Sequence, residues 1–374
     1  VLLLASAVCL SAQATVSLEL LGDLNVPSGV AFSSIDQAGA SASGQELSRE
    51  ERKSSGGFGG LSGLAFDADT GLLYALSDSS KPTVFVLSLE VDGSELRWSP
   101  RDILRLADRS GAELALWTLD PEGLALTANG HLLVASEGYV RREPSVDPGV
   151  FQFDRHGRLT ADLEVPVHLL PRTSGERALG VRSNEGFEGL SLSPDGEALY
   201  VATEGPLAQE DDGCRDQPGC EVRVLEYARK GESFEPASEY VYRLEPAEAP
   251  DDFGDARRAM GLSEILAMDR RRLLLLERGY ALAEDGRVHQ VIRVFEATVP
   301  FRPTPGRAWL EKSLVLDLSS IVGEFGEGYQ KLDNYEGMCF GPVLEDGSQT
   351  VLMISDDNYS ERQRTSLLAF RLVE

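Results

Sequence analysis

The chain has 374 residues, of which 42% are hydrophobic and 26% charged, and its formal net charge is −26. That length allows one large domain or two ordinary ones, and the apolar content excludes a disordered chain. The negative charge excludes nucleic acid and an anionic membrane surface as partners, except where a cation mediates the contact.

Residues 1–14 read VLLLASAVCLSAQA, an uncharged apolar run closed by Ala-Gln-Ala. This resembles the apolar region and cleavage site of a secretory signal peptide, cut after Ala14. At about 12 apolar or small residues it is too short to span a membrane, and no later segment is long and apolar enough to do so. The expected location is the periplasm or the exterior. Residues 15–374 are then expected to form one domain.

VSLELLGDL, from Val16 to Leu24, reads as a strand. Residues 33–59, rich in Ser, Gly and Ala around a charged ELSREERK segment, read as a loop insertion. A repeat then begins. GGLSGLAFDADTGLLYALSD covers Gly59 to Asp78, DPEGLALTANGHLLVASEG Asp120 to Gly138, and NEGFEGLSLSPDGEALYVATEG Asn184 to Gly205. GLSEILAMDRRRLLLLERG covers Gly261 to Gly279, and DNYEGMCFGPVLEDGSQTVLMISDDNYS covers Asp333 to Ser360. Each has a small or acidic residue before an apolar strand, a turn such as DADTG or SPDG, and a second apolar strand ending in Asp or Glu. Copies start about 60 to 75 residues apart, a period of repeated sheets.

Two further strand candidates follow each hairpin, except in the fifth unit, which has only TSLLAFRLV. The strand at Val16–Leu24 completes that unit by pairing with the last blade. The expected fold is therefore all-β, a β-propeller of four-stranded blades. The strand count gives five blades; six would require an extra element within residues 108–120 and 165–187. A second loop insertion, 206–221, holds Cys214 and Cys220 in GCRDQPGC, expected to be a local disulfide in an exported protein; a zinc site there lacks a second Cys/His pair. Cys339, within an apolar strand, reads as a buried thiol.

In a propeller the innermost strands line a central channel, so equivalent positions form a ring. The candidates are Glu122, Glu188 and Glu336 on the first strands, with Ser62 and Ser263 in the matching places. At the ends of the second strands stand Asp78, Glu137, Glu204, Glu277 and Asp356, while Glu264 is one residue out of register. Carboxylates facing one cavity repel one another unless a cation neutralises them, and an oxygen-only donor set favours a hard ion, calcium ahead of magnesium. The rival reading is that each acid caps a hairpin or pairs with Arg. The turn acids Asp67, Asp69, Asp154 and Asp195 take that reading. The four histidines share no zinc or triad spacing, and no G-x-S-x-G elbow occurs.

GGLSGLAFD, DPEGLAL with SEG, GFEGLSLSPDG, GLSEILAMD with LLLLERGY, and DNYEGMCFGP with SDDNYS together resemble the phytase-like family known as "esterase-like activity of phytase". The likeness runs from about Leu20 to Leu372. A more distant likeness is to the calcium-dependent β-propeller phytases, whose channel carboxylates hold calcium. That likeness implies metal ligation by Glu122 with Glu137, Glu188 with Glu204, and Glu336 with Asp356. Ser62 departs from the paired Asp of those phytases, and there is no lysine cluster; Arg278, Lys331 and Lys81 are the cations expected near the mouth.

Three functions follow. The favoured one is an exported calcium-dependent phosphoric-ester hydrolase acting on a small-molecule ester as a monomer. Glu188 or Glu336 would be its general base, with Glu122, Glu137, Glu204, Glu277, Asp356 and Asp78 holding metal and Arg278, Lys331 and Lys81 binding substrate. The others are a calcium-stabilised binding module without catalysis, which the scarcity of cations favours, and a lactonase or carboxylic-ester hydrolase.

Overall fold

The computed structural model describes residues 14–30, 32, 49–142, 144–174, 177–210, 219–301, 308–326 and 330–374. The expected signal segment, most of the 33–59 insertion and Cys214 therefore lie outside the described residues, while Cys220 is disulfide-bonded.

Five antiparallel sheets follow one another along the chain as blades of a β-propeller. β1 (Ser17–Pro27) and the short helix α1 (Arg49–Ser55) precede blade I, which contains β2 (Leu61–Asp67), β3 (Leu72–Ser77), β4 (Thr83–Asp92) and β5 (Glu95–Arg105). Blade II holds β6 (Pro121–Leu126), β7 (Leu132–Ser136), β8 (Gly149–Phe153) and β9 (Leu159–Asp162). A separate hairpin follows, β10 (Arg172–Ser174) with β11 (Arg177–Leu179). Blade III comprises β12 (Phe187–Leu192), β13 (Ala198–Thr203), β14 (Glu221–Lys230) and β15 (Ser233–Arg243). Blade IV begins with β16 (Arg257–Ala267), β17 (Arg272–Leu282) and β18 (Val288–Thr298). The chain then lends β19 (Ala308–Trp309) to the outer edge of blade III, parallel to β15, before β20 (Glu311–Asp317) completes blade IV. Blade V is β21 (Asn334–Val343), β22 (Gln349–Asp356) and β23 (Arg364–Val373), and β1 pairs antiparallel with β23 as its outermost strand. Joining the first described strand to the last closes the ring, as the missing fourth strand of the fifth unit requires. Among its described residues the segment 165–187 supplies a two-stranded hairpin and no sixth blade.

Five separate apolar clusters hold the blades together, one at each junction. Tyr200, Val222 and Tyr242 of blade III meet Leu262, Leu273 and Val291 of blade IV. Leu73, Phe85 and Trp98 of blade I meet Leu352 and Leu367 of blade V. The alternating apolar side chains of each strand thus face the neighbouring sheet, the usual economy of face-to-face sheet packing.

The inner strands explain the Glu-Gly pairs. In every blade the register of the first two strands shifts by one residue, between Leu61 and Gly63, Pro121 and Leu124, Phe187 and Leu190, Leu262 and Glu264, and Tyr335 and Gly337. Such an extra residue re-aims a side chain and bends the strand. The glycine that follows lets the next inner strand approach. A Cβ on Gly123 would lie 2.3 Å from Glu188 O, one on Gly63 2.6 Å from Glu122 O, and one on Gly337 2.6 Å from Ser62 O. Gly189 meets the backbone of Glu264 and Ile265 in the same way, at 2.7–2.9 Å. The fifth junction differs: Glu264 occupies the glycine place, and its carboxylate fills the space between blades.

Candidate functional site

Superposing the blades by register defines two ring places. The first is the extra residue of the inner strand: Ser62, Glu122, Glu188, Ser263 and Glu336. The second follows, on the second strand, the residue paired just before the first strand's extra residue. Since Leu61, Pro121, Phe187, Leu262 and Tyr335 pair with Ser77, Ser136, Thr203, Glu277 and Ser355, the second place holds Asp78, Glu137, Glu204, Arg278 and Asp356. Both places lie at the same end of the antiparallel pair, so ten side chains gather at one mouth.

Two triplets of carboxylates bring their oxygens within 4.8 Å of one another: Asp120, Glu122 and Glu137, and Glu137, Glu188 and Glu204. Glu137 belongs to both. Its Oε1 accepts from Gly186 N at 3.1 Å, which leaves the other oxygen for a ligand. Asp120 was not among the sequence candidates. It reaches the group because Tyr139 donates its hydroxyl to Asp120 Oδ1 at 2.9 Å and to Leu119 O at 3.1 Å. Two further oxygens at the ring, Ser62 Oγ and Asp78 Oδ1, are buried without a hydrogen-bond partner among the described residues.

Burial followed by mutual repulsion holds these acids above the ordinary carboxylate range. Glu122 is pushed well up by desolvation and then by Glu188 and Asp120; Glu137 by desolvation and then Glu204 and Asp120; Glu188 by desolvation and then Glu204 and Glu137. Glu204 and Asp78 are raised by the same burial, against the pull of Arg278 and Lys53 respectively. Asp356 is raised by burial and by Glu336. Burial lifts Asp120 to about 6 and Glu336 to about 7, the latter despite the neighbouring Arg278. A cluster this reluctant to ionise, built only of oxygen donors, fits a divalent hard cation.

Cations stand at two sides of the mouth. Arg278 Nη2 lies 2.9 Å from Glu204 Oε1 and 3.2 Å from Glu336 Oε1, and Arg278 also donates to Ser263 Oγ and Asn334 Oδ1 at 3.1 Å each. Burial opposes its charge, but Glu336 and Glu204 hold the guanidinium above its ordinary value. Opposite, Lys53 of α1 pairs with Asp78 Oδ2 at 2.9 Å. Arg49 donates to Asn358 O at 2.9 Å and ties the helix to blade V. No sequence signal marked Lys53, because it lies in an insertion outside the repeat.

Three sequence candidates are engaged with other partners. Glu277 is one residue out of register with the ring. It points between blades III and IV, accepting from Tyr242 Oη at 2.6 Å and Glu245 N at 3.0 Å and pairing with Lys312 Nζ at 2.6 Å. The Gly that follows Glu137, Glu204 and Arg278 is the sequence signal that places Arg278, not Glu277, in the ring. Lys81 pairs with Glu113 at 2.8 Å, and Lys331 with Asp333 at 3.4 Å.

The family model described as Phytase-like, esterase-like activity of phytase, matches residues 56–359, and the chain belongs to this family. An uncharacterized secreted protein of Arthroderma benhamiae is 29% identical over 156 residues, 36% of this chain. The match spans only 29% of that protein's length. Among solved structures, a gluconolactonase from Xanthomonas campestris is similar over 84% of this chain and 86% of its own, at 13% identity and a TM-score of 0.33. A mannose phosphorylase from Leishmania mexicana, in complex with phosphate ion, is similar over 92% of this chain and 87% of its own, at 8% identity and a TM-score of 0.38. Neither structural likeness is close enough to bear on the activity of this chain.

Proposed function

We propose that this member of the phytase-like family is an exported, calcium-dependent hydrolase of phosphoric esters whose site is the carboxylate-lined channel mouth. The observation that carries the reading is the pair of carboxylate triplets sharing Glu137. Asp120, Glu122, Glu137, Glu188 and Glu204 are the ligands proposed for calcium, with Asp78 and Asp356 on the adjoining arc of the ring. Bound there, calcium would offset the repulsion of these acids and attract the oxygens of an anionic ester.

The chain's own residues supply the rest. Glu336 is held near neutrality, the range in which a carboxylate can both take and return a proton at physiological pH. It is the general base: it takes a proton from the attacking water and gives it to the departing alkoxide, so that the ester yields an alcohol and inorganic phosphate. Arg278, 3.2 Å from Glu336, is positioned to hold an oxygen of the ester beside the base. Tyr139 orients Asp120, and Lys53 pairs with Asp78.

Export rests on the signal-like residues 1–14. Among the described residues no helix is long and apolar enough to cross a membrane.

The test is release of inorganic phosphate from a panel of phosphate esters by mature protein, with calcium and after its removal. Calcium-dependent release that Glu336→Gln reduces at least 100-fold, with calcium affinity nearly retained, is the expected result. No release from folded, calcium-loaded protein would reject the reading. Turnover of neutral lactones in its place would reassign the site to carboxylic esters.

A further inference from the structure

In a chain that lacks a lysine cluster, arginines gather beside the acidic ring. A cavity of about 270 Å³ opens from Glu204 and Arg278, walled by Arg257, Arg258 and Tyr280. A second, of about 590 Å³, is lined by Arg141, Arg172 and Arg182. Both include Asn184 and Glu185, so they form one groove that bends at Asn184, whose backbone is left-handed with φ 58°. Its lining carries six arginines against three carboxylates, Asp147, Glu185 and Glu204. A local positive surplus on a protein of net charge −26 is a departure that composition does not explain.

The groove's outer wall is not part of the propeller repeat. It is the β10–β11 hairpin, inserted between blades II and III. Its base is fixed to the segment after β13: Gly180 N donates to Gln209 Oε1 at 2.8 Å, and Ala208 N to Gly180 O at 2.8 Å. Arg141, Arg172 and Arg257 are exposed and make no ion pair among the described residues, so their donors remain available. Several other surface arginines, Arg97, Arg109, Arg158, Arg270 and Arg287, are each paired with an acid, while the exposed Arg101 and Arg155, which lie outside the groove, make no ion pair among the described residues.

We infer that this groove binds an extended, multiply anionic ligand, and that the ester hydrolysed at the ring carries further negative groups on the side leading away over blades III and II. The inference rests on the proposed hydrolase for the identity of the ligand as substrate, but not for the binding itself. Guanidinium groups pair bidentately with carboxylate and phosphate oxygens alike, so the shared chemistry is a chain of such anions. The 590 Å³ cavity alone is of the size that holds a small organic ligand. A lone phosphate would fill little of it. Arg278 marks where the groove meets the ring, because it lines the smaller cavity and also pairs with Glu336.

The experiment is calorimetric titration of calcium-free protein, at low salt, with tripolyphosphate and with trigalacturonate. The variant is R141A/R172A/R257A. The control is R101A/R155A/R270A, which removes the same charge at an outer strand and at turns on the opposite face. The expected result is binding of at least one ligand, weakened about tenfold or more in the groove variant and little in the control. Tripolyphosphate alone would identify a phosphorylated extension, trigalacturonate alone a carboxylate polymer, and both a preference for charge spacing over group. Binding by neither ligand, equal binding by the groove variant, or an equal loss in the control would overturn the inference. Because calcium and turnover play no part in this readout, the groove can fail while the hydrolase stands, and the reverse.

Discussion

Blades II and III and blade IV share a backbone but not a chemistry. In blades II and III the two ring places hold Glu122 with Glu137 and Glu188 with Glu204, and the inner-strand glycines let neighbouring backbones touch. In blade IV the same places hold Ser263 and Arg278, and the glycine place holds Glu264. The Glu264 carboxylate sits between the inner strands of the two flanking blades: Oε1 accepts from Leu190 N at 2.8 Å and Ile265 N at 2.9 Å, and Oε2 lies 3.5 Å from Met338 N. Blades II and III thus concentrate negative charge, while blade IV supplies the counter-charge and ties three inner strands together. The repeat fixes where side chains stand; three substitutions in one blade decide which side of the mouth can hold a cation and which can hold an anion.

The largest way to break this contrast is Arg278→Met. The methionine keeps most of the length but leaves Glu204 and Glu336 buried without their partner. Breaking a buried pair costs about 3–5 kcal/mol, so denaturant unfolding in calcium-free buffer is expected to show a loss of that order. Added calcium should recover more stability in the variant than in the parent, because Glu204 and Glu336 then have no other counter-charge. Unchanged stability would mean that Arg278 is not what holds the ring's charge. The next effect is Glu137→Gln, which removes the acid common to both triplets. Calcium affinity is expected to fall about 100-fold, equivalent to about 2.8 kcal/mol at 1.4 kcal/mol per factor of ten. Glu277→Gln, read in the same titration, should leave calcium affinity unchanged, since its partners are Tyr242 and Lys312. Equal losses from both would return Glu277 to the ring.

Much of this arrangement is legible in the sequence because hairpin ends recur at the same phase. The strand alternation, the turn residues and the incomplete fifth unit together specify five blades and their closure by β1. Glu122, Glu137, Glu188, Glu204, Glu336, Asp78 and Asp356 follow from the repeat. Glu277 does not, since one extra residue in the pairing shifts which side chain faces the axis. Asp120 lies within its motif but is masked there by Glu122 two residues on; its place beside Glu122 and Glu137, held by the Tyr139 hydroxyl, shows that it turns inward. Lys53, Arg141, Arg172 and Arg182 lie in insertions and loops between the repeat's hairpins, with no common spacing. Their meeting is a product of three-dimensional closure, which a periodicity cannot carry.

The smallest effect separates the acidic side from its counter-charge by titration. Burial raises Glu336 to about 7 and Asp120 to about 6 in the folded chain, against ordinary unfolded values near 4. A group raised on folding binds its proton more tightly in the native state. Its stabilising contribution is therefore complete below the unfolded value and disappears as pH rises through 6 to 7. Calcium-free protein is expected to melt a few degrees higher at pH 5.5 than at pH 7.5. Falling net charge also relieves general self-repulsion, so the comparison is with Asp120→Asn/Glu336→Gln, in which the part of the rise due to these two acids is lost. Saturating calcium should flatten the rise in the parent, because the cation competes with protons for Asp120 and its charge favours the ionised form of Glu336. An identical pH profile in parent and double variant would show that these two acids ionise normally and that the mouth is wetter than its burial implies. Persistence of the full rise under calcium would show that the cation binds elsewhere, and the contrast between blades would then be one of charge balance alone.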